Sequence, residues 1–512
     1  MSQARRARQQ ERRARQESQS RKLAIDAAQP RLQFAALWLS LLFLLPNLGA
    51  LMCGFVFDDL PVLVENESLH VHSFRQLAHI WKSGYWPDNR GLPLYRPFTQ
   101  TVWATIWALG GANRPAVYHA ICLVLGLAVV LLFYRFLLEV EIPARTAFVA
   151  AGLFALFPIH TEATTSVVGS AELLASTLAL AALLLFYRGY IIPAIAAFAL
   201  AVFSKESAAT FAAIPIVFPP TEWRSRRWPA AAVGAGVAVG ISLWMHDRLS
   251  LNAFIPPIDN PMGLLPTFPR ILTALWVQVL YVFKTIAPIT LSSDYSYKQI
   301  PLVMGLADWR AWAGLTLAGT AVFVAFRYRE FRAPILVYAI LFSAAANVVL
   351  SIATIMGERL AYAPTMGIAL LLAILIARIR QWKILMVGIA LMFGARSAYR
   401  NIDWRDADHF FTKQIETSPG SAKSWYSYGA LKSARGDDSG AIAAYDHAIQ
   451  IFPLYSEAFF NRGNALVRLG RREEAMESYR QCLRFDPGHA GARMNLEQLE
   501  AGLSFNPPRK KM

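Results

Sequence analysis

The sequence predicts an all-α fold, a polytopic membrane helical bundle of about 11 spans with a C-terminal α-solenoid. Three observations lead there. The 512 residues are 55% hydrophobic and only 16% charged, against roughly 25% charged in soluble proteins. Apolar runs of about 14 to 23 residues recur along most of the chain. The last hundred residues turn polar and repeat at a fixed period. A net charge of +16 would suit nucleic acid, but its distribution argues against that partner. It sits in the N-terminal tail and in short loops between apolar runs, which is the bias that orients membrane helices.

In chain order, residues 1–33 form a basic tail expected on the cytoplasmic side. Eight Lys or Arg oppose two Glu within residues 1–22. No small-residue cleavage site follows a short apolar region, so Phe34–Gly54 reads as a retained first span. A polar loop, 55–97, follows. It opens on Phe55-Val56-Phe57-Asp58-Asp59, two carboxylates at the edge of hydrocarbon, where a charge is costly. Thr99–Leu109 is apolar but short and reads as lying in the outer leaflet. Tyr118–Leu138 then returns inward, and the remaining spans are about 146–158, 170–187, 190–203, 207–219, 229–246, 310–326, 333–351, 363–378 and 383–399. Residues 271–287 are apolar enough to cross, but Pro-rich flanks and parity place them at the outer surface. This arrangement gathers Arg135, Arg145, Arg188, Arg224, Arg327 and Arg378 on the cytoplasmic side. The membrane domain is therefore 34–400, the repeat domain 401–505 and the tail 506–512.

The repeat is legible residue by residue. Trp425 and Phe459, Gly429 and Gly463, Ala441 and Ala475, Tyr445 and Tyr479, and Pro453 and Pro487 are each 34 apart. Small residues, aromatics and Pro at that period are the tetratricopeptide (TPR) pattern. Two full repeats with flanking halves are too few to stand alone, so the array is expected to stack on the membrane domain.

Under this topology the outer loops hold charges of both signs: Asp58-Asp59, Arg96, His160-Thr161-Glu162, Lys205-Glu206, Asp294-Tyr295 and Glu358-Arg359. Convergence of such groups at one face marks a candidate active site. An enzyme that moves a sugar from a lipid phosphate needs a carboxylate to accept the acceptor's proton, cations for the departing phosphate and an apolar groove for the tail. Asp58 or Asp59 fits the first requirement, and Arg96, Lys205 and Arg359 fit the second, Arg being suited to bidentate phosphate contacts. Plainer roles stand beside these. The Asp pair could cap the next segment, Arg359 could pair with Glu358, Lys205 could snorkel beside Glu206, and Asp294 could be a turn residue. No second His lies at ligand spacing from His160, so no metal is expected. Cys53, Cys122 and Cys482 are too scattered for a disulfide framework.

Seven motifs occur in an order that resembles the transmembrane-and-TPR O-mannosyltransferases, of the C-type (GT-C) polyprenyl-phosphate-sugar glycosyltransferases. They are Phe57-Asp58-Asp59, Tyr95-Arg96-Pro97-Phe98-Thr99, Phe157-Pro158-Ile159-His160-Thr161-Glu162-Ala163, Val168-Gly169-Ser170-Ala171-Glu172, Ser204-Lys205-Glu206, Asp294-Tyr295-Ser296-Tyr297 and Gly357-Glu358-Arg359-Leu360-Ala361-Tyr362-Ala363-Pro364. The similarity runs from about Phe34 to the repeats. It implies an inverting, metal-free transfer of mannose from a lipid monophosphate to a protein Ser or Thr hydroxyl, with no cofactor. The family's acidic pair falls on Asp58 and Asp59. Tyr362 joins Arg96, Lys205 and Arg359 on the donor side, while His160, Glu162, Glu172, Glu206, Asp294, Tyr295 and Glu358 complete the candidate set. Two departures are a shorter repeat array and Gly169-Ser170-Ala171-Glu172 where the family has Arg second. The Arg- and Ala-rich style resembles bacterial members, which implies an undecaprenyl-like carrier, an inner-membrane location and periplasmic repeats. Expected partners are membrane lipid, the lipid-linked sugar and an acceptor protein held by the repeats. The alternatives are transfer to a lipid or envelope glycan, or a non-enzymatic TPR scaffold.

Overall fold

The computed structural model describes residues 33–86, 94–220, 227–249, 255–348 and 351–509, and the regular elements among them are all helical. The chain enters through α1 (Gln33–Met52). A loop carrying the short α2 (Phe74–Ile80) leads to α3 (Pro97–Ile106), which starts on a proline whose missing N–H costs nothing at a helix's first position. Next come α4 (Pro115–Glu139) and α5 (Ala144–Leu156). Pro158 breaks the latter, and the continuation containing α6 (Thr161–Thr165) bends away by 53°. The hairpin α7 (Ser170–Tyr187) and α8 (Ile191–Ser204) is followed by a tight 3-10 stretch, Glu206–Ala213, and α9 (Ile214–Val217). The membrane domain continues with α10 (Arg227–Leu249), α11 (Thr267–Ile286), α12 (Trp309–Arg327), α13 (Arg329–Phe342), α14 (Thr365–Ile376) and α15 (Trp382–Ile402).

Among the described residues, four helices (α1, α4, α7 and α12) are long and apolar enough to cross a membrane, and α5 with α6 makes a fifth if the bent pair is one span. The expected count near 11 therefore leans on shorter helices such as α8, α14 and the apolar part of α10. Two expected spans differ in form. Residues 207–219 divide between the 3-10 stretch and α9. The expected 333–351 helix ends at Phe342, and part of its remainder lies outside the described residues.

One apolar core runs through α1, α4, α5, α7, α8, α11, α13, α14 and α15. A second, smaller core lies beneath the 55–97 loop, built from Val62, Leu63, Leu69, Tyr85, Trp103 and Tyr118. Two bonds tie α3 to neighbouring helix ends: Trp103 Nε1 donates to Ser170 Oγ at 2.9 Å, and Thr99 Oγ1 donates to the Ser204 carbonyl at 2.9 Å.

The C-terminal part is α16 (Ala407–Thr417), α17 (Ala422–Ala434), α18 (Asp438–Ile451), α19 (Ser456–Arg468), α20 (Arg472–Phe485) and α21 (Ala490–Glu500). The pairs α17/α18 and α19/α20 pack as the 34-residue period requires. A Cβ at Gly429 would stand 2.7 Å from Tyr445, and one at Gly463 would stand 2.6 Å from Tyr479. The repeating Gly and Tyr are thus two sides of one close helix contact.

The repeats rest on the membrane domain through several loops, one of which places Asp259 2.6 Å from Lys423 of α17. Phe57 packs on Phe410 and Phe411, ring centroids 5.3 and 6.4 Å apart. The 292–299 segment meets the start of α17: Ala422 N donates to the Tyr297 carbonyl at 2.7 Å and Lys298 N to the Gly420 carbonyl at 2.8 Å.

Candidate active site

The acidic pair heads the loop that follows α1, and its two members point different ways. Phe57 has φ +55°, a left-handed conformation uncommon outside glycine. It turns the chain so that Asp59 faces inward and Asp58 faces the rim. Asp59 is fully buried. Its carboxylate accepts from the Val168 N–H at 2.9 Å, from Ser166 Oγ at 3.3 Å and from the Val56 N–H at 3.5 Å. Gly169 closes the turn that presents Val168, since a Cβ there would meet the Ala163 carbonyl oxygen at 2.5 Å. Burial, with a smaller push from Asp58, raises the Asp59 carboxyl to about 7. The local capping role open to this pair is not the one Asp59 takes: its side chain makes no cap bond to the helical turn Leu60–Val64.

Asp58 keeps 18% of its side chain exposed and accepts from Arg359 Nη1 at 3.1 Å. Arg359 also faces Glu162, with Nε 3.6 Å from Oε1, and its backbone N–H donates to Glu162 Oε2 at 3.0 Å. Residues 58, 162 and 359, distant in sequence, thus form one cluster in which a single guanidinium spans two carboxylates.

The other candidate cations are engaged too. Arg96 holds Glu206 through two bonds, Nε to Oε2 at 3.0 Å and Nη2 to Oε1 at 2.6 Å, with its guanidinium 5.0 Å from the Tyr85 ring centroid. Lys205 forms a buried ion pair with Glu172. Lys205 does not snorkel but is buried against Glu172, and Arg359 takes Asp58 and Glu162 rather than the alternative partner Glu358. The Tyr85 hydroxyl is buried beside these groups, and burial raises it against the nearby charges of Arg96 and Arg359.

His160 is a packing residue, with Nε2 2.7 Å from Thr365 Oγ1 and its ring against Phe154 and Tyr362. Tyr362 is buried, and its hydroxyl has no hydrogen-bond partner among the described residues. Glu358 is fully buried, its carboxyl raised by that burial. It accepts from the Ser292 N–H and the Tyr295 hydroxyl, both at 2.6 Å. Asp294 turns from the membrane domain to the repeats. It accepts from Ser296 Oγ at 3.0 Å, from Ser424 Oγ at 2.9 Å and from Ser421 Oγ. It is a docking residue here.

Sequence reasoning passed over Arg400, which is 3% exposed, 2.7 Å from Asp403 and 3.7 Å from Glu358. The signal was a basic residue closing an otherwise apolar helix, a place where a cation also answers the free carbonyls.

Residues 253–322 match the family described as "Protein O-mannosyl-transferase TMTC, DUF1736", and residues 456–489 match a tetratricopeptide repeat. The chain is 25% identical over 521 residues to human protein O-mannosyl-transferase TMTC3, covering 88% of this chain and 56% of that protein. It is 26% identical over 435 residues to protein O-mannosyl-transferase F38B6.6 of Caenorhabditis elegans, 81% and 62% covered. With human TMTC1 the figures are 25% over 479 residues, 80% and 54% covered. The chain spans little more than half the length of such relatives. In these matches and in its repeats, the chain is similar to the TMTC proteins.

Proposed function

We propose that this chain transfers mannose from a polyprenyl-phosphate carrier to a Ser or Thr hydroxyl of a protein, on the outer face of the membrane, with inversion. A protein O-mannosyltransferase role is supported by the relatives' names. The donor, the stereochemistry and the face are the finer part of the reading. The observation that carries it is the Asp58–Arg359–Glu162 cluster, a partly exposed carboxylate beside a guanidinium, next to the Phe57 contact that holds the repeats.

In this mechanism Asp58 accepts the proton of the attacking hydroxyl as its oxygen bonds to the sugar's anomeric carbon. The bond from that carbon to the phosphate oxygen breaks, and the phosphate leaves with the electron pair. Attack opposite the leaving group inverts the centre. Arg359, positioned by Glu162, faces the charge that grows on the phosphate. Asp59 holds the 56–59 turn against Val168 and acts as a positioning residue. The repeats, seated on Phe57 next to Asp58, bring the acceptor chain to the rim.

The test is direct. The purified full-length protein, given polyprenyl-phosphate-mannose and a Ser/Thr-rich acceptor protein, should add one hexose per modified Ser or Thr, read by mass spectrometry. Hexose appearing only on lipid or glycan would move the reading to the envelope-glycan alternative. No transfer from a folded protein would leave a membrane-anchored scaffold.

A further inference from the structure

A second cationic group lies at the end of the bundle that carries the repeats, where α11 and α15 finish. It comprises Lys284, Arg396 and Arg400. Unlike Arg96 and Lys205, two of the three spend their donors on backbone. Lys284 Nζ donates to the Thr290 carbonyl at 2.5 Å. Arg396 Nε donates to the Pro288 carbonyl at 2.9 Å and Nη2 to that of Ile289 at 3.3 Å. Carbonyl oxygens satisfy geometry and leave the charge in place. Among the described residues the anions facing this group are Glu358 and Asp403, and both are held by Arg400. Three positive charges thus meet two negative ones.

Unspent donors point the same way. Arg400 is 3% exposed, yet among the described residues its Nε has no hydrogen-bond acceptor, and neither has Nη1 of Arg396. A buried N–H without an acceptor costs about 1–3 kcal/mol, so these atoms are poised for one. Lys284 is pushed down by burial first and then by the nearby charges of Arg400 and Arg396, with Glu358 opposing.

The surroundings are apolar. Met392, four residues before Arg396, and Tyr399, three after it, share its helix face and are 60% and 58% exposed. Ile289, whose carbonyl Arg396 holds, is 75% exposed. An anion that fits carries several acceptor oxygens and a hydrocarbon tail. We propose that Lys284, Arg396 and Arg400 form a binding site for the phosphate of a lipid. Two sources share that chemistry, the phosphate of a polyprenyl carrier and the headgroup of an ordinary anionic phospholipid. The first would make this a holding site for the carrier, separate from the position where Arg359 faces the departing phosphate, and rests on the transferase reading, whereas the second does not.

The test reads binding rather than transfer, so its failure is distinct from failure of the transferase reading. Full-length protein in detergent is titrated with polyprenyl phosphate, phosphatidylglycerol and phosphatidylcholine by native mass spectrometry. The Lys284→Gln/Arg396→Gln variant is compared with wild type at matched folding by size-exclusion and thermal midpoint. A tenfold or greater loss confined to polyprenyl phosphate identifies the carrier. A similar loss for phosphatidylglycerol identifies the bilayer headgroup. Undiminished binding of both overturns the site. Hydrogen exchange on the wild type gives an arm that needs no variant: either phosphate lipid should protect residues 284–290 and 396–403, and protection elsewhere only would also overturn it.

Discussion

Asp59 and Asp58 share a peptide bond, but one holds its proton to about pH 7 while the other faces a guanidinium at the rim. Asp59 binds its proton more tightly in the folded protein than the ordinary 3.8 of an unfolded chain. Its contribution to stability is therefore full below about pH 4 and is lost as pH rises through about 7. Asp59→Asn should keep the acceptor for the Val168 N–H and flatten that pH dependence, as read by thermal midpoints from pH 4 to 8. An unchanged slope would mean that Asp59 is charged and solvated. Lys205 and Glu172 allow a second residue-scale test. Removing one partner of a buried pair strands a charge, at about 3–5 kcal/mol, while removing both is often near neutral. Lys205→Met should lower the thermal midpoint strongly, and adding Glu172→Leu should restore most of it. A lone Lys205→Met that loses donor binding without losing stability would instead favour the phosphate role expected from sequence.

Between elements, the 292–299 loop is the hinge of the account, because it meets Glu358 on one side and α17 on the other. Asp294→Ala removes the acceptor for Ser296, Ser421 and Ser424 and should weaken docking by about 1–3 kcal/mol. Faster hydrogen exchange at residues 418–424, with α19 and α20 unchanged, is the expected sign. Much at this scale was legible beforehand. Ser170–Tyr187 and the 34-residue Gly and Tyr positions follow from hydropathy and period alone. The ion pairs were not, and the reason is geometric. Neighbours such as Glu358 and Arg359 project to different sides of a helical turn, and Lys205 and Glu206 lie where extended backbone gives way to one. Each therefore finds a partner from a remote part of the chain, which spacing cannot reveal. Pro158 and the 3-10 stretch after Lys205 likewise interrupt runs that hydropathy reads as continuous.

At the scale of the whole molecule, the seven motifs resolve into contiguous ionic groups around one end of the bundle, Arg96–Glu206, Asp58–Arg359–Glu162 and Glu358–Arg400, with the repeats seated beside them. The central claim is that Asp58, in the second group, is the base of the transfer. Initial rates of mannose transfer from polyprenyl-phosphate-mannose should be measured for wild-type protein and for Asp58→Asn, with equal folding verified by thermal midpoint. The account predicts a fall of roughly 10²- to 10⁴-fold with little change in donor binding. A folded Asp58→Asn protein that transfers mannose at the wild-type rate would contradict it.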